Sequence, residues 1–332
     1  MLYIFIVIGT LITGLVSFKI FHYKYISSSL PQSDLIPNPS NIVGQGGIVF
    51  TLLLSFFFLI DYFYTLLNIN YNIVPRIESI FVSIAILTIL SYFDDKFDLP
   101  KRIRFFFQIV LTFLSTSAIN IDPTLIPLKI QILFIVLFWC YIINITNFID
   151  GLNGFLCLNS ISFFIGCLLI IYQNSLFNEV IFPLSLISLF LMISFIVFNF
   201  PKPRIFFGDT GAIPLGFLIG YILIYFFSID LILPALFIFL YPITDVTVTL
   251  LDKVFIRKRY PWERLFDYFF LKPVINRKKS HEFVFYTNLV FQLLNLTMLT
   301  LYLIFDISFI FLISVILAFI NIKFYSNFKK IS

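Results

Sequence analysis

The chain has 332 residues, of which 60% are hydrophobic and 12% charged, with a formal net charge of +5 and a mean hydropathy of +1.03. A charged share about half that of a soluble globular protein leaves more apolar surface than a water-soluble fold can hide. That excludes a soluble enzyme with a minor anchor, a disordered chain and a secreted disulfide scaffold, and it predicts an all-α polytopic integral membrane protein whose single domain spans 1–332.

Apolar runs fall at 2–22, 46–67, 77–93, 105–121, 127–146, 154–172, 180–200, 211–228, 230–250, 284–305 and 306–324. At about 20 residues per crossing they predict about eleven transmembrane helices. The first run lacks the basic flank and small-residue cleavage site of a signal peptide, so it reads as a membrane helix. The last two are separated by a turn near Asp306 and should pair antiparallel. No internal repeat is visible, which argues against the repeat-built transporter folds. Cys140, Cys157 and Cys167 each sit inside an apolar run. Their odd count and the lack of a C-x-x-C pair give no disulfide framework and no zinc site.

With the N-terminus in the periplasm, 20 of the 22 Lys and Arg fall on the inner side, and only Arg76 and Lys129 fall outside. The positive-inside bias therefore fixes the orientation. It also absorbs the basic charge, so no nucleic-acid partner is expected. The outer loops are short and Asn-rich. The polar chemistry lies in the inner segments.

Asp94 and Asp95 end the third run in SYFDDKFDLP, and Asp98 can converge with them if the helix continues one turn. Paired carboxylates near lipid are costly unless a cation neutralises them, and a hard divalent ion with oxygen ligands suits them. The plainer alternative is a solvated helix end balanced by Lys96, Lys101, Arg102 and Arg104. In NITNFIDGLNG at 144–154, Asn144, Asn147 and Asp150 share one face of a helix end. Gly151 and Gly154 then break the helix, with Leu152 and Asn153 in the break.

In NFPKPRIFFGDTGAIPLG at 199–216, Gly208 and Gly211 flank Asp209 and permit unusual dihedrals and close approach of a ligand. Thr210 and the amides opening the next helix offer donors to an anion. Lys202 and Arg204 are cations for phosphate, and Phe206 or Phe207 could stack on a base. A Pro/Gly turn between helices is the plainer alternative. Asp245 lies inside the ninth run, as a functional group or as a structural partner of an Arg or Lys. The strongly basic loop 251–283 ends near His281. Its WERLFDYFFLKPV stretch could lie as an interfacial helix, and its charge also suits an anchor to anionic lipid. Carboxylates, amides, a Gly-rich acidic turn and cations thus recur on one face, which suggests metal-assisted phosphoryl chemistry.

These residues resemble the polyprenyl-phosphate N-acetylhexosamine-1-phosphate transferases, the superfamily of MraY and WecA. The motifs that carry the likeness are F-D-D at 93–95 with R-x-x-x-Q at 104–108, N-x-x-N-F-x-D-G-x-N-G at 144–154, and N-x-P-x-x-R-I-F-x-G-D-T-G at 199–211 followed by P-L-G at 214–216. P-x-x-D at 242–245 also fits. The resemblance implies transfer of a sugar-1-phosphate from a UDP-N-acetylhexosamine to undecaprenyl phosphate, with release of UMP and a need for Mg²⁺. It implies metal ligation by Asp209 with Asn147 or Asp150, a catalytic and lipid-phosphate region at Asp94 and Asp95, and nucleotide positions at Asn153, Asn199 and Phe206. Asp150 is also a catalytic candidate, and Asn144, Arg204 and His281 are candidates for substrate binding. The setting implied is a bacterial inner membrane with the site on the cytoplasmic face, a lipid bilayer as partner, and a homodimer left open.

Two departures stand out. The first inner loop reads PNPSNIVGQGG, without the Arg and His of many relatives. The last long loop lacks the multi-histidine signature and keeps K-S-H at 279–281. That pattern favours the WecA branch that initiates O-antigen and capsule-type glycans over an MraY-type phospho-MurNAc-pentapeptide transferase. A non-catalytic relative and an anionic-lipid transporter remain as alternatives.

Overall fold

The computed structural model describes residues 2–25, 42–67, 77–119, 121, 127–260 and 268–328. Most of the first inner loop, Arg76 and the Trp262–Asp267 stretch of the expected interfacial helix lie outside the described residues. The elements are α1 (Leu2–Tyr25), α2 (Gly47–Leu67), α3 (Glu78–Phe97), α4 (Lys101–Ser115), α5 (Leu128–Phe148), α6 (Phe155–Gln173), α7 (Ile181–Asn199), α8 (Asp209–Ser228), α9 (Ile232–Ile238), α10 (Leu240–Leu251), α11 (Lys272–Arg277), α12 (His281–Phe305) and α13 (Phe309–Ser326). Among the described residues, extended pairing is confined to a single parallel bridge, Val43 with Ile205.

Each of the eleven apolar runs is occupied by helix. α1, α5, α6, α7, α8, α12 and α13 are long and apolar enough to cross a membrane singly. The ninth run is broken: α9 and α10 meet at a bend of 76° and form an eighth candidate only if taken together. Pro242 explains the break, because a proline ring excludes the carbonyl four residues back, here that of Ile238, the last residue of α9. α3 and α4 are more polar where they meet, since their facing ends carry Asp94, Asp95, Lys101, Arg102 and Arg104.

α8 is the hub. Its residues from Thr210 to Phe226 are all buried, as suits a helix that is apolar all round. α5 lies along it, with the Trp139 indole N–H donating to the Phe217 carbonyl at 2.7 Å and the ring seated over Gly220. α1 and α12 expose rows of large apolar side chains such as Ile8, Ile12, Val290 and Leu293. Lipid offers no penalty for this, so only the close-packed interfaces need be dry. α2, α4, α6, α8 and α12 start at the end of the bundle where α3, α5, α7 and α10 finish. Five positive helix-dipole ends therefore gather where the sequence puts its carboxylates and amides.

Candidate active site

The floor of the site is built from backbone. Segment 43–47 runs beside 204–207: Val43 N–H donates to the Arg204 carbonyl, Phe206 N–H to Val43, Gly46 N–H to Phe206 and Gly47 N–H to Phe207, all at 2.8–3.0 Å. An extended strand alternates its sides. Ile205 and Phe207 therefore point into the core, Phe207 against Phe50 and Phe195, while Arg204 is exposed and Phe206 half-buried. Of the two candidate stacking rings, Phe207 is a core residue and Phe206 is the accessible one. α2 then starts against the start of α8. A Cβ on Gly47 would lie 2.0 Å from the Gly211 Cα, so both positions need hydrogen. Gly211 thus serves close approach of a neighbouring backbone rather than of a ligand.

Three motifs converge on this floor. The Arg104 guanidinium, in the first turn of α4, donates to Asp94 Oδ2 at 2.5 Å and to Asp209 Oδ2 at 3.1 Å. It thereby ties the end of α3 to the start of α8. Asp94 is 8% exposed, and its Oδ1 is buried with no hydrogen-bond partner. Asp95 has its own partner, the Gln45 amide, which donates to its Oδ2 at 2.9 Å, and it lies close enough to Asp209, Asp94 and Arg104 to feel their charges. Asp98 does not join them. It adopts φ 47° and caps α3 through its N–H to the Asp94 carbonyl, which leaves its side chain exposed. The helix stops there and does not make the further turn that convergence of all three acids required.

The 144–154 motif supplies the facing wall. α5 ends at Phe148, and Asp150 Oδ2 accepts from the Gly208 N–H at 3.2 Å, which sets Asp150 beside Asp209. Gly208 carries the unusual dihedral expected here, φ 71°, and this turns its N–H toward Asp150. Burial and the neighbouring Asp209 charge push the Asp150 carboxyl up to about 8, against the opposing Gly208 N–H. Two carboxylates in this setting resist ionising together unless a cation joins them. Asn144 donates to Gln108 Oε1 at 3.0 Å and to the Cys140 carbonyl at 2.7 Å. Arg104 and Gln108 lie one turn apart on α4, so R-x-x-x-Q reaches the carboxylates with one end and the α5 amide with the other. Asn147 is half-buried at the same helix end.

Beyond Asp150 the loop is pinned at two points. Asn153 N–H donates to His281 Nδ1 at 3.2 Å, which brings the end of the long basic loop onto the motif. Gly154 N–H donates to Asn199 Oδ1 at 2.6 Å, while Asn199 Nδ2 donates to the Ile205 carbonyl at 2.9 Å. Asn199 is 4% exposed, so its amide serves as a tie between two loops. Asp94, Asp95, Asn147, Asp150, Asn153, Phe206, Asp209 and His281 are thus brought to one end of the bundle. Arg204 stands on its exposed rim. Sequence reading placed Arg104 in the R-x-x-x-Q motif and among the balancing charges but missed its double pairing, and it missed the role of Gln45. The i, i+4 spacing puts Arg104 and Gln108 on one helix face but gives no signal for the pairing with Asp94 and Asp209. Gln45 lay in a Gly-rich run that gave none.

Residues 77–227 match the family model described as glycosyl transferase family 4. This match agrees with the resemblance of the motifs above to the polyprenyl-phosphate N-acetylhexosamine-1-phosphate transferases. The chain is similar to an undecaprenyl-phosphate alpha-N-acetylglucosaminyl 1-phosphate transferase of Thermotoga maritima, with 27% identity over 172 residues, covering 52% of this chain and 53% of the relative. It is also similar to phospho-N-acetylmuramoyl-pentapeptide-transferases of Leuconostoc citreum, 30% identical over 39% of this chain and 43% of the relative, and of Petrotoga mobilis, 27% identical over 56% and 61%. The chain spans about half the length of the curated relatives it matches.

Proposed function

We propose that this protein transfers an N-acetylhexosamine-1-phosphate from a UDP-sugar to undecaprenyl phosphate at the cytoplasmic face of a bacterial inner membrane. The observation that carries the reading is the convergence of Asp94, Asp150 and Asp209, from three separate motifs, around Arg104 and the N-terminus of α8. In this reaction an oxygen of the lipid phosphate bonds to the sugar-bearing phosphorus, the anhydride bond breaks, and UMP leaves with the bridging oxygen. The protein has little covalent work to do, so positioning and charge neutralisation supply most of the rate.

Asp209 and Asp150, with Asn147 beside them, are the residues that would hold Mg²⁺. Among the described residues no three His, Cys, Asp or Glu form a metal cage by themselves. Mg²⁺ usually takes one or two carboxylates and fills its shell with water and phosphate oxygens. Facing carboxylates, one of them resisting ionisation, and the orphaned Asp94 Oδ1 suit such an ion. When bound, it would neutralise the diphosphate and stabilise charge developing on the leaving phosphate. Arg104 holds Asp94 and Asp209 in register and keeps a cation beside the reacting phosphates. Asp95, paired with the Gln45 amide, is the carboxylate available to take a proton from the lipid phosphate. Arg204 and Phe206 are the rim groups suited to the nucleotide. Matches to both branches leave the choice of branch to the histidine pattern, which favours the WecA type and initiation of a surface glycan such as O-antigen.

Membranes containing the protein, supplied with undecaprenyl phosphate and a panel of radiolabelled UDP-N-acetylhexosamines, should yield a labelled lipid diphosphate sugar and UMP. Movement of lipid or sugar across the bilayer without UMP release would make the protein a transporter instead. Orientation has its own check. A cysteine at Lys278 should resist a membrane-impermeant thiol reagent added to intact cells and react once the membrane is opened, because the basic loops face inward.

His281 gives a further expectation. Its Nδ1 accepts a backbone N–H, so the neutral ring carries its proton on Nε2 and can donate it to a phosphate. His281→Ala should weaken use of the UDP-sugar by about 1.5–3 kcal/mol, the range for a hydrogen bond to a charged group. His281→Gln should recover part of the loss. Unchanged transfer in both variants, with Asp209→Asn inactive, would reduce His281 to a structural pin.

A further inference from the structure

We infer that Asp245 is a positioning residue that sets the Asp150 loop from behind, through the turn 268–271. Asp245 is fully buried in α10, where it is held by backbone N–H groups with the Lys272 charge nearby. Its Oδ1 accepts from Phe269 N–H at 3.1 Å and its Oδ2 from Phe270 N–H at 3.3 Å. Tyr241 OH donates to Oδ2 at 2.8 Å and Thr249 Oγ1 to Oδ1 at 3.4 Å. Both oxygens are thus engaged, and the two backbone bonds fix a turn 25 residues further along the chain.

That turn is the back support of the Asp150 loop. Phe270 stacks on Phe155 with centroids 4.4 Å apart and planes at 12°, and Tyr268 stacks on Phe148 at 5.4 Å and 27°. Tyr268 and Phe270 are themselves parallel within 15°. Leu271 lies against Gly151, 3.5 Å from where a Cβ would stand. Phe148, Gly151 and Phe155 bracket Asp150 on both sides in sequence. The loop is therefore gripped by a four-ring ladder whose far side hangs on one buried carboxylate. A carboxylate is suited to this because it offers acceptors on both oxygens, whereas the Nδ2 of an amide would meet one of the two N–H groups donor to donor.

The inference rests on the reading of Asp150 as part of the reacting centre, and the test separates the two. Asp245→Asn and Phe270→Leu, singly and together, would be assayed for UDP-sugar transfer per folded protein, with folding followed by thermal denaturation in detergent. Each single variant should lower kcat by about tenfold, the scale of a sub-ångström misplacement of a reacting group, with KM for the UDP-sugar within about twofold. The double variant should be no worse than the poorer single, since both act through one turn. Multiplied losses would overturn the relay, and so would a lowered melting temperature with unchanged kcat. If Asp245→Asn does not accumulate, Phe270→Leu decides alone, and an unchanged kcat there overturns the proposal. Asp150→Asn in the same membranes is the control. If it is inactive while the other variants turn over normally, only the relay fails; if it turns over normally, the reading of the site fails and the relay with it.

Discussion

Asp209→Asn is expected to reduce transfer by at least about 10²-fold, the scale of removing one charge-stabilising group from a preorganised site. The substitution keeps size and shape at the first residue of α8. It removes the charge that meets Arg104 at 3.1 Å and that a hard cation needs. It also leaves Arg104 to Asp94 alone. Asp150→Asn should cause a similar loss for the complementary reason: the carboxylate pair disappears, although the Gly208 N–H can still find an amide oxygen. Measured as UMP release against Mg²⁺ concentration, both variants should stay far below wild type at saturating metal. Near-normal turnover in both, with Mg²⁺ still required, would put the ion elsewhere.

The second large effect concerns a residue with no functional group. Gly47→Ala adds a Cβ that would stand 2.0 Å from Gly211 Cα, 2.2 Å from Gly211 N and 2.8 Å from the Thr210 carbonyl carbon. All three are backbone atoms, so no rotamer change relieves the overlap. The starts of α2 and α8 must separate, which strains the Gly46 and Gly47 bonds to Phe206 and Phe207 and moves Asp209. The expected cost is at or above the 1–3 kcal/mol typical of overpacking, about 3 kcal/mol, with transfer largely lost. Gly9→Ala is the contrast: its Cβ would meet only the Phe57 ring, at 3.5 Å, so melting temperature and activity should hold. Equal tolerance at the two glycines would mean that the contact between the two helix starts is dispensable.

The local elements were legible in sequence because the membrane makes local rules strict. Backbone polar groups in lipid must be satisfied within the segment, so apolar runs become helices wherever they sit, and all eleven runs are helical. The Gly-flanked acidic motifs fall at helix ends for a related reason, since charge and irregular backbone are tolerated at the boundary of the bilayer. Length and hydropathy could not foresee the 76° bend between α9 and α10. That bend follows from Pro242, whose ring excludes the Ile238 carbonyl, and neither quantity registers where a proline falls.

Composition, motif spacing and the Lys and Arg bias by themselves determined an all-α membrane protein with its chemistry at one end. They also singled out Asp94, Asp150 and Asp209. Tertiary structure alone decided how those groups meet. Arg104 and Asp209 are 105 residues apart in sequence, and Gln45 and Asp95 are 50 apart. Spacing reports only neighbours on the same helix, so neither pairing has a local signature. The same holds for Asp98, which its left-handed cap turns away from the other acids, and for Asn199, whose amide is used up between two loops. In each case the side chain's chemistry was readable from sequence, but its direction and partner depended on which helix ends pack together.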